Sequence, residues 1–244
     1  MEIYFAGVKE LIPRLAPEVW SSINVLESFY YLNPKHLPKF RQARSFMLDS
    51  GAYSFRVDPS IKLDWDVFLN RYAEFVRDFE IEKFFELDID MVVGYKKVLE
   101  FRDRLEKIVG RQCIPVWHKN RGVDDFVQMC KDYSYVALVG MSSGDVTKKD
   151  FLQLQKFIDT AHNYDAKIHG LGFTQIKPLH YCHFDSVDST SWNAGMKYGI
   201  GYEFKNNWLY QIKKKPGQRC RGVEANVQNF SQWVLFSKYA RSML

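Results

Sequence analysis

A chain of 244 residues with a net charge of +5 and a 16% aromatic share has the size of one large α/β core, and its mild basic excess permits a polyanionic partner without requiring one. No apolar run approaches the ~20 residues that span a bilayer, which excludes a helical membrane protein, and the N-terminus lacks the basic, apolar and small-residue order of a secretory leader. Cys113, Cys130, Cys182 and Cys220 stand far apart, with no C-x-x-C pair and no His-x-x-x-His. That spacing argues against a sequence-local zinc site and a dense disulfide framework, so the expectations are no metal, no cofactor and a reducing, cytoplasmic setting.

In chain order, Glu2 to Gly7 is a short apolar run ended by Gly and reads as a first buried strand; Val25 to Tyr31 is a second. Ser45 to Leu48 is a third, ending in Asp49-Ser50-Gly51-Ala52-Tyr53. From Asp64 to Phe79 apolar residues recur at helical spacing (Trp65, Phe68, Leu69, Tyr72, Phe75, Val76, Phe79). Phe84 to Asp88 resumes strand character, Val98 to Val109 is helical, and Cys113 to His118 is a fifth strand. A short helix from Val123 to Cys130, a strand from Tyr135 to Gly140, a helix from Lys148 to His162 and a strand from Ala166 to Gly170 follow, and Tyr181 to Val187 is the eighth strand. Eight alternations imply right-handed βαβ units and a parallel sheet, and they fit a single (β/α)8 TIM barrel spanning 1–244 better than an open sheet. From Asn193 to Gly222 the pattern weakens into an irregular basic insertion carrying Lys213, Lys214, Lys215, Arg219 and Arg221, closed by a helix from about Ala225 to Arg241.

Several strand ends offer an acid: Asp49, Asp88 with Asp90, and Asp185 with Asp188. One such acid reads as a helix cap, but several together point to a shared site at the C-terminal face of a parallel α/β fold. Asp49-Ser50-Gly51-Ala52-Tyr53 is similar to an Asp-Ser-Gly-Gly-(Phe/Tyr)-Gln motif, Gly140-Met141-Ser142-Ser143-Gly144-Asp145 to a Gly-Leu-(Ala/Ser)-Val-Gly-Glu loop, His169-Gly170-Leu171-Gly172 to a Met-Gly-Val-Gly turn, and Phe184-Asp185-Ser186-Val187-Asp188-Ser189-Thr190 to Phe-Asp-Cys-Val-x-Pro-Thr. In this order and spacing, over about Ser45 to Gly195, they resemble the tRNA-guanine transglycosylase superfamily, which exchanges guanine for a 7-deazaguanine in a polynucleotide. The chain departs from that family in lacking its Cys-x-Cys-x-x-Cys and His zinc motif, hence a barrel without the zinc subdomain, and in carrying Ala52 and Ser54 where the first motif has Gly and Gln. A short, zinc-less member looks most like the phage-encoded branch that places deazaguanines in DNA, which implies DNA, or tRNA in the alternative, as the macromolecular partner, a 7-deazaguanine base as the small substrate, and the host cytoplasm as the setting.

Base exchange at C1′ needs a carboxylate that attacks the anomeric carbon and a second group that manages the purine proton. By position in the motif the resemblance makes Asp185 the nucleophile and Asp49 the acid/base, with Asp188 the rival nucleophile, or else a cap or hydrogen-bond partner for Ser191. Asp88, or Asp90 in the alternating Leu87-Asp88-Ile89-Asp90, is the candidate for reading the guanine edge. Ser50, Gly51, Gly140, Met141, Gly170 and Gly172 would shape the base pocket, Tyr53 would stack on the extruded base, and His118 would bond it or serve as a structural histidine. The basic cluster from Lys213 to Arg221 would meet phosphates, or is a solvated charge run. Two further classes stay open: a catalytically silent nucleic-acid-binding subunit, and a nucleoside or glycoside hydrolase using the same acids on water.

Overall fold

The computed structural model describes residues 1–51, 63–139, 151–173, 175–213 and 222–244. Eight parallel strands, β1 (Glu2–Ala6), β2 (Asn24–Ser28), β3 (Ser45–Asp49), β4 (Lys83–Phe84), β5 (Val116–Trp117), β6 (Tyr135–Val139), β7 (Lys167–Leu171) and β8 (Ser186–Ser189), form one sheet in the order β4-β3-β2-β1-β8-β7-β6-β5. The first strand lies between β2 and the last one, with Tyr4 opposite both Asn24 and Asp188. The ends of the order meet through a parallel bridge between Phe85 and Ile114, where Ile114 N donates to Phe84 O at 2.8 Å and Glu86 N to Ile114 O at 3.0 Å. A curled parallel sheet of this order, ringed by helices, is consistent with a (β/α)8 barrel.

The alternation of side chains along each strand sorts the core into an inner and an outer layer. Tyr4, Ala6, Leu26, Met47, Phe85, Val116, Ala137 and Val139 pack together inside the curl. Their neighbours along the strands, such as Ile3, Phe5, Val25, Val136, Leu138, Ile168 and Val187, face the helices. Among those helices, α1 (Trp65–Asp78) starts where Asp64 accepts from Asp66 N and Val67 N at 3.1 Å each, and buries Phe68, Leu69, Tyr72, Ala73 and Val76 along one stripe. The α2 helix (Tyr95–Val109) ends at Gly110 in the left-handed region, φ 78°. It is followed by α3 (Val123–Asp132) and α4 (Phe151–Asn163). The last helix, α5 (Gly222–Met243), runs antiparallel to β1, with Phe230 against Phe5 and the chain's N-terminus donating to Ala240 O. Among the described residues no helix is long and apolar enough to cross a membrane.

Several boundaries differ from the sequence expectation: β4 ends at Phe84 instead of Asp88, and β5 covers Val116–Trp117 alone of the expected Cys113 to His118. Strand β2 stops at Ser28, and Phe29–Tyr31 is a 3-10 turn whose Phe29 ring packs on α1. The stretch after Asn193, expected to be irregular, holds a short helix (Ala194–Tyr198) and an antiparallel hairpin of β9 (Ile200–Lys205) and β10 (Trp208–Lys213). Its turn, Asn206-Asn207, has φ of 51° and 62°, which Asn tolerates better than most residues. The free edge of β9 is satisfied by α5, since Asn229 accepts from Tyr202 N at 2.9 Å and donates to Ile200 O at 2.8 Å. Finally, β8 begins at Ser186 instead of Tyr181: the preceding apolar residues follow a helical turn (Ile176–Leu179), and Phe184 packs on Phe173 in the outer layer. Tyr53, Gly140, Met141, Lys214, Lys215, Arg219 and Arg221 lie outside the described residues, and of Lys213 the backbone is placed, at the end of β10.

Candidate active site

Three carboxylates come together at the C-terminal side of the curled sheet. Asp49 is the last residue of β3, Asp88 follows the bridge after β4, and Asp188 is the last inward-facing residue of β8. Burial raises the Asp49 carboxyl first, and the charges of Asp88 and Asp188 raise it further against the Gly51 and Ser50 amides, leaving it pushed up to about 7. The carboxyl is enclosed by protein, yet the residue keeps some contact with solvent. Asp88 is raised too, by burial above all, with the hydrogen bond from His118 opposing. A group poised near neutrality, beside two further acids, is what a proton-transfer site requires.

Each of these acids has one oxygen fixed by the protein. Gly51 N donates to Asp49 Oδ2 at 3.1 Å, His118 Nε2 lies 3.2 Å from Asp88 Oδ2, and Gly172 N donates to Asp188 Oδ1 at 2.6 Å with His169 Nε2 3.3 Å away. His169 is fully buried, bonded through Nδ1 to Ser186 Oγ, which in turn meets Tyr135 OH at 2.6 Å. The sequence reading passed over His169 and Ser186. Their place follows from register, which pairs His169 with Ser186, and an even-residue step along β8 puts Ser186 and Asp188 on one face.

Behind Asp88 lies a buried ionic network. Glu86, with no exposed side-chain surface, accepts from Arg102 Nε at 2.6 Å, Arg121 at 2.9 Å and Val116 N at 2.8 Å. Arg121 also holds both oxygens of Asp90, at 2.8 and 2.6 Å, and lies over the Tyr95 ring. Asp90, an expected alternative for the guanine edge, is therefore engaged as an ion-pair partner, and Asp88 is the acid left facing the site. Arg102 was detectable in sequence as a cation on the apolar stripe of α2, between Phe101 and Leu105.

Two expected site residues lie elsewhere. Asp185 precedes β8 and sits at the N-terminal ends of the strands: its backbone O accepts from Glu2 N at 2.8 Å, its Oδ2 accepts from Ile168 N at 2.8 Å, and His162 Nε2 is 3.0 Å away. The expectation that it converges with Asp49 and Asp88 is corrected, because the strand starts where it was expected to end, which puts Asp185 at the wrong end and on the outer side. Gly170 also faces outward, where an added Cβ would come within 3.1–3.3 Å of Phe173, Val187 and Phe184; its smallness serves packing, not the mouth.

Gly51 carries a measurable consequence. Its φ is +91°, and a Cβ there would meet Ser28 Oγ and Tyr30 Cβ at 2.6 Å. Gly51→Ala is expected to lose at least about 1–3 kcal/mol in urea unfolding from backbone strain and contact, while pulling the Gly51 amide from Asp49.

Among the described residues no group of three or more His, Cys, Asp or Glu side chains is arranged to hold a metal ion. No family model matches the chain, and no curated protein matches it. Among solved structures, one described as "Structural study of Project ID from Aquifex aeolicus VF5" aligns with a TM-score of 0.53 at 10% identity, covering 92% of this chain and 84% of that one. Likeness at that identity speaks for shared architecture alone.

Proposed function

We propose that the protein is a base-exchange transglycosylase that replaces guanine in a nucleic acid, DNA by preference, with a 7-deazaguanine, on a (β/α)8 barrel. The observation that carries this reading is the convergence of Asp49, Asp88 and Asp188, with Asp49 pushed up to about 7. Asp188 Oδ2 attacks C1′ as the bond to N9 breaks, giving a glycosyl ester, while protonated Asp49 supplies the proton that the leaving guanine takes. The incoming base then surrenders its N9 proton to Asp49 as its nitrogen displaces Asp188 from C1′. Asp88, oriented by His118, accepts from the N1–H and amino edge of the purine. The preference for DNA, and the identity of the incoming base, rest on the family resemblance of the motifs.

Adduct formation should therefore slow as pH rises past about 7, while its resolution by an incoming deazaguanine should quicken over the same range. Single-turnover measurement of the two half-reactions checks this, and pH-independent rates for both would remove Asp49 from the role. Nucleoside analysis of DNA and tRNA from cells with and without the protein tests the reading as a whole. Deazaguanine in DNA is expected; its appearance in tRNA alone moves the substrate, and hydrolysis without any acceptor base makes the protein a hydrolase.

The folded state also holds the Asp49 proton across a range in which the unfolded chain, with the ordinary value of 3.8, has released it. The unfolded state binds fewer protons there, so stability falls as pH rises from the ordinary carboxylate range to about 7. Asp49→Asn is expected to raise the melting temperature at pH 8 relative to wild type and leave it little changed near pH 4, measured by calorimetry.

A further inference from the structure

The opposite end of the curled sheet holds a cavity of about 860 Å³, within the size range of small-ligand pockets. Its wall includes Ser45 at the inner N-terminal end of β3, Tyr4 from the middle of β1, whose hydroxyl reaches Ser45, Lys83 at the start of β4, and the guanidinium-bearing Arg41, Arg44 and Arg111. At its base three polar groups form a triangle: Lys83 Nζ donates to Ser45 Oγ at 2.7 Å and to Tyr4 OH at 3.2 Å, and the two hydroxyls are 2.9 Å apart. An ammonium has three donor hydrogens and each hydroxyl one. Two ammonium hydrogens and one hydroxyl hydrogen are used within the triangle, which leaves one of each for a ligand.

The charge around this base is unbalanced in the same sense. Glu2 is already satisfied by Arg44 at 2.6 Å, Asn24 at 2.7 Å and Arg241 at 3.3 Å. Lys83, Arg41 and Arg111 make no ion pair among the described residues; Arg41 and Arg111 are each tethered through one nitrogen to a backbone carbonyl, of Phe79 and Ile81. Glu80 and Glu82, the other acids of the wall, are exposed, as are Arg41 and Arg111, so the four cations of the wall stand against three acids. Phe46 and Ile81 add an apolar side.

We infer that this cavity is a binding site for a small phosphate-bearing anion, held by Lys83, the Ser45 and Tyr4 hydroxyls and the Arg41 and Arg111 guanidiniums, at the end of the sheet away from the three converging acids. Charge-assisted bonds from an ammonium and forked guanidiniums suit the several oxygens of a phosphate. The site does not depend on the proposed base exchange.

The test is calorimetric titration of the full-length chain with inorganic phosphate, and in a second arm with a nucleoside monophosphate, at ionic strength held constant with chloride. Saturable binding is expected, weakened at least about tenfold in Lys83→Met and in Arg111→Gln, and unchanged in Asp188→Asn at the far face. Tighter binding of the monophosphate assigns Phe46 and Ile81 to the body of an ester; equal or weaker binding assigns free phosphate. Should Lys83→Met fail to fold, the exposed Arg41→Gln and Arg111→Gln carry the test. No saturable binding in either arm, or binding that neither arginine variant weakens, overturns the proposal.

Discussion

Asp188→Asn is expected to abolish base exchange, with a loss on the order of 10⁴-fold or more, and to eliminate the denaturation-resistant adduct between protein and nucleic acid. The substitution keeps size and lets Oδ1 go on accepting from Gly172 N, so the turn after β7 is preserved, but the charge that must attack C1′ is gone. Asp185→Asn provides the contrast. Its side chain ties the starts of β7 and β8 at the other end of the sheet and is about a third exposed, so that variant should keep the adduct and nearly all the activity, at a modest cost in stability. His169→Gln should fall between the two, because it removes the lateral support of Asp188 and leaves the carboxylate itself in place. Trapping each variant on a guanine-containing oligonucleotide in a denaturing gel separates them. An adduct from Asp188→Asn, together with none from Asp185→Asn, would return the nucleophile to Asp185 and defeat the site described above.

The largest expected effect on stability is Glu86→Ala, at about 3–5 kcal/mol, because it leaves the Arg102 and Arg121 guanidiniums buried with their shared anion removed. For a chain of this length that corresponds to a melting temperature lower by roughly 6–20 °C. Burial by itself would raise the Glu86 carboxyl, yet Arg121 and Arg102 bring it below the usual carboxylate range. Its folded value is thus depressed: the contribution is present above the ordinary carboxylate value and is lost as pH falls through the lower, folded one. Acid unfolding should accordingly be less cooperative with pH in Glu86→Ala than in wild type. Activity should fall along with stability, since Val116 N and Arg121 hang on Glu86 and Arg121 in turn fixes Asp90, two residues after Asp88. Replacing Glu86, Arg102 and Arg121 together by apolar residues of similar volume should restore much of the stability but leave Asp88 without this support. Equal melting temperatures for wild type and Glu86→Ala would show the network to be energetically idle.

Most of the architecture was legible because it rests on short-range periods. The apolar stripe of α1, with Asp64 at its start, and the inward and outward alternation of β1 and β6 are written over a few consecutive residues, and water enforces them wherever the chain folds. The same alternation made Asp49 readable as a strand-end acid, since the run before it is the strand itself, whereas β4 ends at Phe84 and Asp88 stands four residues beyond it. By contrast, Tyr181 to Val187 is as apolar as a strand, but its first part covers the outer layer and the extended segment begins only at Ser186. Where a strand begins is decided by the partner it hydrogen-bonds to, here Glu2 opposite Ser186, a contact between residues far apart along the chain. That register, invisible in any window of sequence, sends Asp185 to one end of the sheet and Asp188 to the other. It also joins His169 to Ser186, and the fold of α2 over the bridge after β4 sets Arg102 against Glu86. The sequence by itself determined which residue types stand near the site; the tertiary pairing alone decided which of two acids three residues apart belongs to it, because burial and hydrogen bonding act through space while sequence patterns report only neighbours along the chain.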